Sequence, residues 1–154
     1  MSEITVDTKR VFDAPREAVW EAFADPKRLA QWWGPNGFTN EFRRFEFRPG
    51  GLWVFVMRGP NGHGYPNESR FTELVKPERI VLDHLVTPLY RNTMTFTDLS
   101  GKTQLSWHGV IQTDTPNEKF RTFILEMNEQ NFDHLAAHLI YHHRYDILSS
   151  EAKT

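Results

Sequence analysis

The 154-residue sequence predicts an α+β fold, in which a six- to seven-stranded antiparallel sheet is accompanied by two short helices and one long C-terminal helix. Three observations predict it. Between Thr39 and Gln112, apolar residues recur at alternate positions in short runs separated by Pro49-Gly50-Gly51, Lys76-Pro77-Glu78 and Ser100-Gly101, as in strands joined by tight turns. From residue 118 to about 147 no glycine or proline interrupts the chain, a stretch that suits a single helix of about thirty residues, roughly 45 Å by rise. Ahead of the sheet, Pro15 and Pro26 each open a helical segment, because the fixed φ of proline suits a first turn.

Residues 4–12 set Ile4, Val6, Thr8 and Arg10 against Thr5, Asp7, Lys9 and Val11, a loose period of two that fits a partly exposed first strand. A helix over 15–24 follows. Asp13 is placed to cap it, Glu17 stands where the helix dipole favours negative charge, and Val19, Trp20 and Phe23 form one inward side. Asp25-Pro26 repeats the start signal, and a second short helix passes through Leu29 and Ala30 to Trp32 or Trp33 before Gly34-Pro35 stops it.

From Thr39 the spacing places Phe45 and Phe47 on one face of a strand and Phe42, Arg44 and Glu46 on the other. After Pro49-Gly50-Gly51 the chain returns over 52–58 with Trp53, Phe55 and Met57 sharing a face. Residues 59–66, with three glycines and two prolines, read as a mobile loop. Four further strands are expected over about 67–75, 79–86, 91–98 and 103–112, and their short connections imply a meander. Asp114-Thr115-Pro116-Asn117 then starts the long helix, on which Ile124, Leu125, Phe132, Leu135, Ala136 and Leu139 cluster on one side. This order of elements is that of the helix-grip fold.

Composition narrows the function classes. Twelve Phe, five Trp and four Tyr must fill the interior or line a hollow in it. A net charge of -2 with scattered basic residues leaves no footprint for nucleic acid and no polybasic membrane patch. Without cysteine there is no disulfide, thiolate metal site or thiol nucleophile. The first residues lack the features of a signal peptide and no run of eighteen apolar residues occurs, so a cytoplasmic protein without membrane insertion is expected.

Several phrases also carry a family resemblance. Arg10-Val11-Phe12-Asp13-Ala14-Pro15, the stretch from Asp25-Pro26 to Trp32-Trp33, Arg48-Pro49-Gly50-Gly51, Gly59-Pro60-Asn61-Gly62, Phe71-Thr72-Glu73-Leu74 and Lys76-Pro77-Glu78-Arg79-Ile80 stand in the order of the family's own motifs. Over roughly residues 4–140 the chain resembles the activator-of-Hsp90-ATPase-homologue-like branch of the START/Bet v 1 superfamily. The resemblance implies a curved sheet wrapped around the long helix, and a cavity between them. Many relatives carry a Gly-Trp pair on that helix where this chain has Met127-Asn128, so the contents of their cavities do not transfer. Relatives that activate Hsp90 depend on a separate N-terminal domain, whereas this sequence begins almost at its first strand, so no Hsp90 interaction is expected. The chain is read as one domain, 1–154, with a homodimer left open.

Trp32, Trp33, Trp53, Phe55, Phe71 and Trp107 are the candidates for cavity walls, against the alternative of an aromatic core. His84 shares a face with Ile80, Leu82 and Val86 and points to the core or the cavity, either as a satisfied histidine or as a ligand-facing acid/base. His108 faces away from Trp107 in the pleat. Arg48 is expected to pair with Glu46 or Glu73, while Glu73 is either an inward carboxylate or half of a cross-strand ion pair. His134, His138 and His142 stand four apart, a spacing that can hold zinc. The first two lie about 90° or more from the apolar centre of the helix, so a solvated flank is preferred and no metal is assigned. His142-His143 stand where protonation favours a helix C-terminus. No catalytic triad, phosphate-cradling loop or dinucleotide fingerprint is present, so neither catalytic residues nor a cofactor are assigned.

The function expected is the binding of a small apolar or aromatic molecule at Trp32, Trp33, Trp53, Phe55, Phe71, His84 and Trp107. The alternatives are a cyclase- or hydratase-type enzyme using His84 or Glu73, and a chaperone-type interaction module acting through its outer surface.

Overall fold

A computed structural model describes residues 2–152, with side chains as far as residue 143. Its elements are β1 (Ser2–Phe12), α1 (Arg16–Ala24), α2 (Pro26–Trp32), β2 (Thr39–Phe45), β3 (Leu52–Arg58), β4 (Gly64–Val75), β5 (Arg79–His84), β6 (Tyr90–Leu99), β7 (Lys102–Thr113) and α3 (Glu118–Ala152). The strands form one curved, open antiparallel sheet in the order β1-β7-β6-β5-β4-β3-β2. From β2 to β7 each strand pairs with its successor, and β1 joins at the far edge beside β7. The α+β helix-grip architecture is thus present with all seven strands.

Local chemistry accounts for most element boundaries. Asp25 Oδ1 accepts from Lys27 N–H at 3.0 Å and Pro26 occupies the first turn of α2, satisfying a donor that the helix leaves unpaired. In α1 the N-cap is Pro15, without a side-chain cap, so Asp13 does not have the capping role expected of it. Gly34, just after α2, stands at φ +108°, a conformation that suits glycine.

Two register shifts correct the strict period of two. Between Phe42 and Arg44 a bulge inserts one residue, which turns both Phe42 and Phe45 toward the core cluster instead of to opposite faces. A second shift lies between Phe71 and Glu73. It leaves Phe71 buried while Glu73 turns out to pair with Arg79. Three boundaries also move: β5 stops at His84 rather than Val86, β4 begins at Gly64 inside the expected loop, and α3 continues past His143 to Ala152. His142-His143 therefore do not close the helix.

The core lies on the concave face. Trp20, Phe23 and Trp32 from the short helices meet Trp53, Phe71 and Phe96 from the sheet, while Phe132 and Leu135 of α3 close it at 0% exposure. Phe132 packs edge-on against Phe12 and Trp107, with centroids 5.7 and 4.8 Å apart, geometries that aromatic quadrupoles favour. At the edge of the sheet, Arg10 of β1 pairs with Glu129 and with Asp133 of α3 at 2.5 and 2.8 Å.

Candidate functional site: a cavity at one end of the sheet

The core does not extend along the whole sheet. Toward the β5–β6 turn, the concave face and α3 separate around a cavity of about 440 Å³. The sheet supplies Asn67 from β4, His84 from β5, Tyr90 and Asn92 from β6, and Trp107 and Ile111 from β7. α3 supplies Ile124, Met127, Asn128 and Asn131, and the segment after α2 supplies Trp33, Gly34 and Pro35. Tyr65 and Phe123 also line it while remaining exposed, which marks its mouth.

Three of the seven candidate residues meet there, namely Trp33, His84 and Trp107. Trp32, Trp53, Phe55 and Phe71 do not. Trp32 donates its indole N–H to Ala22 O at 2.9 Å inside the core. Trp53 stacks on Phe55 at 4.6 Å and lies parallel to Phe71. Those four rings close the other end of the sheet, where α1 and α2 cover it. Met127 and Asn128 of α3 both line the cavity.

His84 is 7% exposed and both ring nitrogens are engaged. Nδ1–H donates to Pro88 O at 2.8 Å, and Nε2 lies 2.8 Å from Oδ1 of Asn67. Its ring lies flat on Tyr90, centroids 4.6 Å apart and planes 10° apart. Burial lowers the imidazole pKa below its usual value, while burial pushes the Tyr90 phenol up to about 12. Among the described residues, no Asp, Glu, Lys or Arg lines the cavity.

The expected alternatives are narrowed accordingly. Glu73 belongs to an exposed ion pair with Arg79 and lies outside the cavity, so it cannot act there with His84. His108 pairs with Asp7 on the outer face at 2.6 Å, and Arg48 with Glu46 at 3.3 Å. His134 and His138 are not a solvated flank. His134 holds Gly34 O through Nδ1 at 2.8 Å and contacts Asn36 Oδ1 through Nε2 at 2.7 Å. His138 is 7% exposed and accepts from Arg28 Nε–H. These two do lie away from the apolar stripe of α3, but α2 and the segment after it pack on that side of the helix.

That segment forms one wall of the cavity and is tied to α3 at further points. Asn131 Oδ1 accepts from Gly34 N–H at 2.8 Å, and Gln130 Oε1 accepts from Asn36 N–H at 2.9 Å. Asn67, Tyr90, Asn92 and Asn131 were not among the residues singled out in the sequence. For Asn92 a signal existed: it interrupts the inward series Tyr90, Met94, Phe96 with an amide, and asparagine is depleted in strands.

A seven-stranded helix-grip sheet enclosing a cavity under its long helix defines the class of protein. Over residues 13–139 the sequence matches the family described as activator of Hsp90 ATPase homolog 1-like protein, and the chain belongs to that family. A crystal structure of a Chromobacterium violaceum protein is similar at 29% identity and a TM-score of 0.76, covering 86% of this chain and 94% of that one. Proteins of Nitrosomonas europaea (20% identity, TM-score 0.77, 90% and 96% covered) and Arthrobacter aurescens (21%, 0.78, 89% and 86%) share the fold. No curated protein matches the sequence. Among the described residues, no helix is long and apolar enough to cross a membrane.

Proposed function

We propose that the chain, acting as one domain, binds a small apolar or aromatic molecule in the cavity between α3 and the sheet. The observation that carries this reading is the cavity itself. Its volume of about 440 Å³ falls in the range of small-molecule sites, and side chains such as Trp33, Phe38, Met57, Ile111 and Ile124 surround a few placed amides and an imidazole. A protein interior is ordinarily filled. A void of this size beside a densely packed aromatic core therefore fits a binding site better than a packing fault. Membership of the family is consistent with it.

A thermal-shift screen of aromatic, polycyclic and lipid-like compounds tests the proposal, since a ligand of the native state raises the unfolding temperature by mass action. Gly109→Leu locates the effect. Gly109 lines the cavity, and a Cβ there would meet only Val6 O at 3.7 Å and Ile111 Cδ1 at 4.0 Å, so a side chain can enter the void. Hits on the wild type should vanish in a folded Gly109→Leu protein. No shift across a diverse set, or shifts that survive Gly109→Leu, would remove the support for this reading.

A further inference from the structure

The amides of the cavity wall are not equivalent. Asn67 is engaged with His84 and with Tyr65 O. Asn128 Nδ2–H donates to Thr8 Oγ1 at 3.0 Å, and Asn131 is bonded to Gly34 and Met127. Asn92 differs: it is 8% exposed, it lines the cavity, and its Oδ1 has no hydrogen-bond partner among the described residues. A second unpartnered group lies near it. Trp107, 3% exposed, has no partner for its indole N–H among the described residues. Asn92 faces Gly109 across β6 and β7, and Met94 faces Trp107, so Asn92 and Trp107 are diagonal neighbours on one face of the sheet. Gly109 contributes no side chain between them and the cavity.

An acceptor and a donor without a partner among the described side chains, set in one buried wall, are the two groups there that a ligand's polar group can engage. Here both residues line a cavity, and among the described residues no Asp, Glu, Lys or Arg lines it. A carboxylate or an ammonium entering it would lose its hydration without a counter-charge. A hydroxyl group would not, since it donates one hydrogen bond and accepts others. The Asn92 amide can exchange its oxygen and nitrogen ends by a half-turn of its terminal torsion, and so can serve either role.

Building on the proposed cavity function, we infer that the site selects an uncharged ligand, an apolar ring system bearing a hydroxyl, and that Asn92 reads that hydroxyl beside Trp107. Asn92 is thus the specificity-determining residue. The other three amides hold the wall together.

Titration calorimetry with shape-matched compounds tests this: 2-naphthol, 2-methylnaphthalene and 2-naphthoate, and the three-ring 9-phenanthrol, 9-methylphenanthrene and phenanthrene-9-carboxylate. In the wild type each hydroxyl compound should bind about tenfold more tightly than its methyl counterpart, the worth of one net hydrogen bond to a buried group, and the carboxylates should bind weakest. In Asn92→Leu the hydroxyl preference should disappear while the methyl compounds still bind. In Asn92→Gln, which keeps the amide, part of the preference should remain. Equal wild-type affinity for hydroxyl and methyl compounds, carboxylates binding as tightly as hydroxyl compounds, or a hydroxyl preference undiminished in Asn92→Leu would each overturn the inference. Binding that shows none of this selectivity but is lost in Gly109→Leu refutes the role of Asn92 and leaves the cavity function standing. If none of the six compounds binds the wild type, the cavity function and the selectivity fail together.

Discussion

Arg28 on α2 donates from Nε to Nε2 of His138 on α3 across 3.1 Å. The bond requires the lone pair of a neutral imidazole, and burial, followed by the charges of Arg28 and His142, holds the His138 pKa down to about 4. Geometry and electrostatics agree, because a proton on Nε2 would replace the bond with a contact between two cations.

Stability should therefore fall on acidification. Above the unfolded histidine value of about 6.5 neither state is protonated at this site and its contribution is constant. Between about 6.5 and 4 the unfolded chain takes up a proton that the native chain refuses, so each lower pH unit costs up to about 1.4 kcal/mol. His84, also lowered by burial, acts in the same direction. His138→Gln, whose amide oxygen can still accept from Arg28, should flatten the fall in chemical-denaturation midpoint between pH 6.5 and 4. An unchanged slope would show that His138 titrates normally.

Asn92→Leu should stabilise the protein while changing its ligand preference. The substitution removes an acceptor that has no partner among the described residues, and leaving such a group buried costs about 1–3 kcal/mol. For a chain of this size the melting temperature should rise by about 2–4 °C per kcal/mol. A decrease would mean that the amide is satisfied in solution, and Asn92 would lose its standing as a residue held ready for a ligand.

How much of this was legible in the sequence differs between frame and site. The frame was marked by residues that act locally: Asp25-Pro26 starts α2, and Pro49-Gly50-Gly51 turns β2 into β3. Bulges leave no such mark. Nothing in Phe42-Arg43-Arg44-Phe45 or Phe71-Thr72-Glu73 announces an inserted residue, and each moved a side chain to the other face. The pleat also says which residues point inward, not what they meet. Phe55 and Met57 share a face of β3, yet Phe55 is sealed under Trp53 and Phe42 while Met57, two residues on, lines the cavity. That division depends on where α1 and α2 end over the sheet, a long-range fact that no local pattern contains.

The wall formed by Gly34 to Asn36 should depend on α3 for its order. Asn131, 8% exposed, supplies the acceptor for Gly34 N–H, so Asn131→Ala leaves that donor buried and unpaired at a cost of about 1–3 kcal/mol. Amide exchange at Gly34 should accelerate by tenfold or more while the central strands β6 and β7 keep their protection. Equal protection at Gly34 in the variant would mean that the segment is held by its own turn and not by the helix.

Two phenylalanines on α3 separate the helix's structural work from its place at the cavity. Phe132 is fully buried between Phe12 and Trp107, whereas Phe123 is 53% exposed at the cavity mouth. Phe132→Ala removes a ring from a packed cluster and should cost about 3–5 kcal/mol, lowering the melting temperature by about 6–20 °C. Phe123→Ala loses little burial and should stay within about 0.5 kcal/mol of the wild type. The same exposed ring covers the mouth, so its removal should speed entry and release of any bound compound, read as faster quenching and recovery of Trp33 and Trp107 emission in stopped flow. If Phe123→Ala is as destabilising as Phe132→Ala, the ring packs inward in solution and the mouth lies elsewhere. Should its stability be unchanged but the exchange rates unaltered, ligands reach the cavity by another route, and the segment from Gly34 to Asn36 becomes the gate to examine.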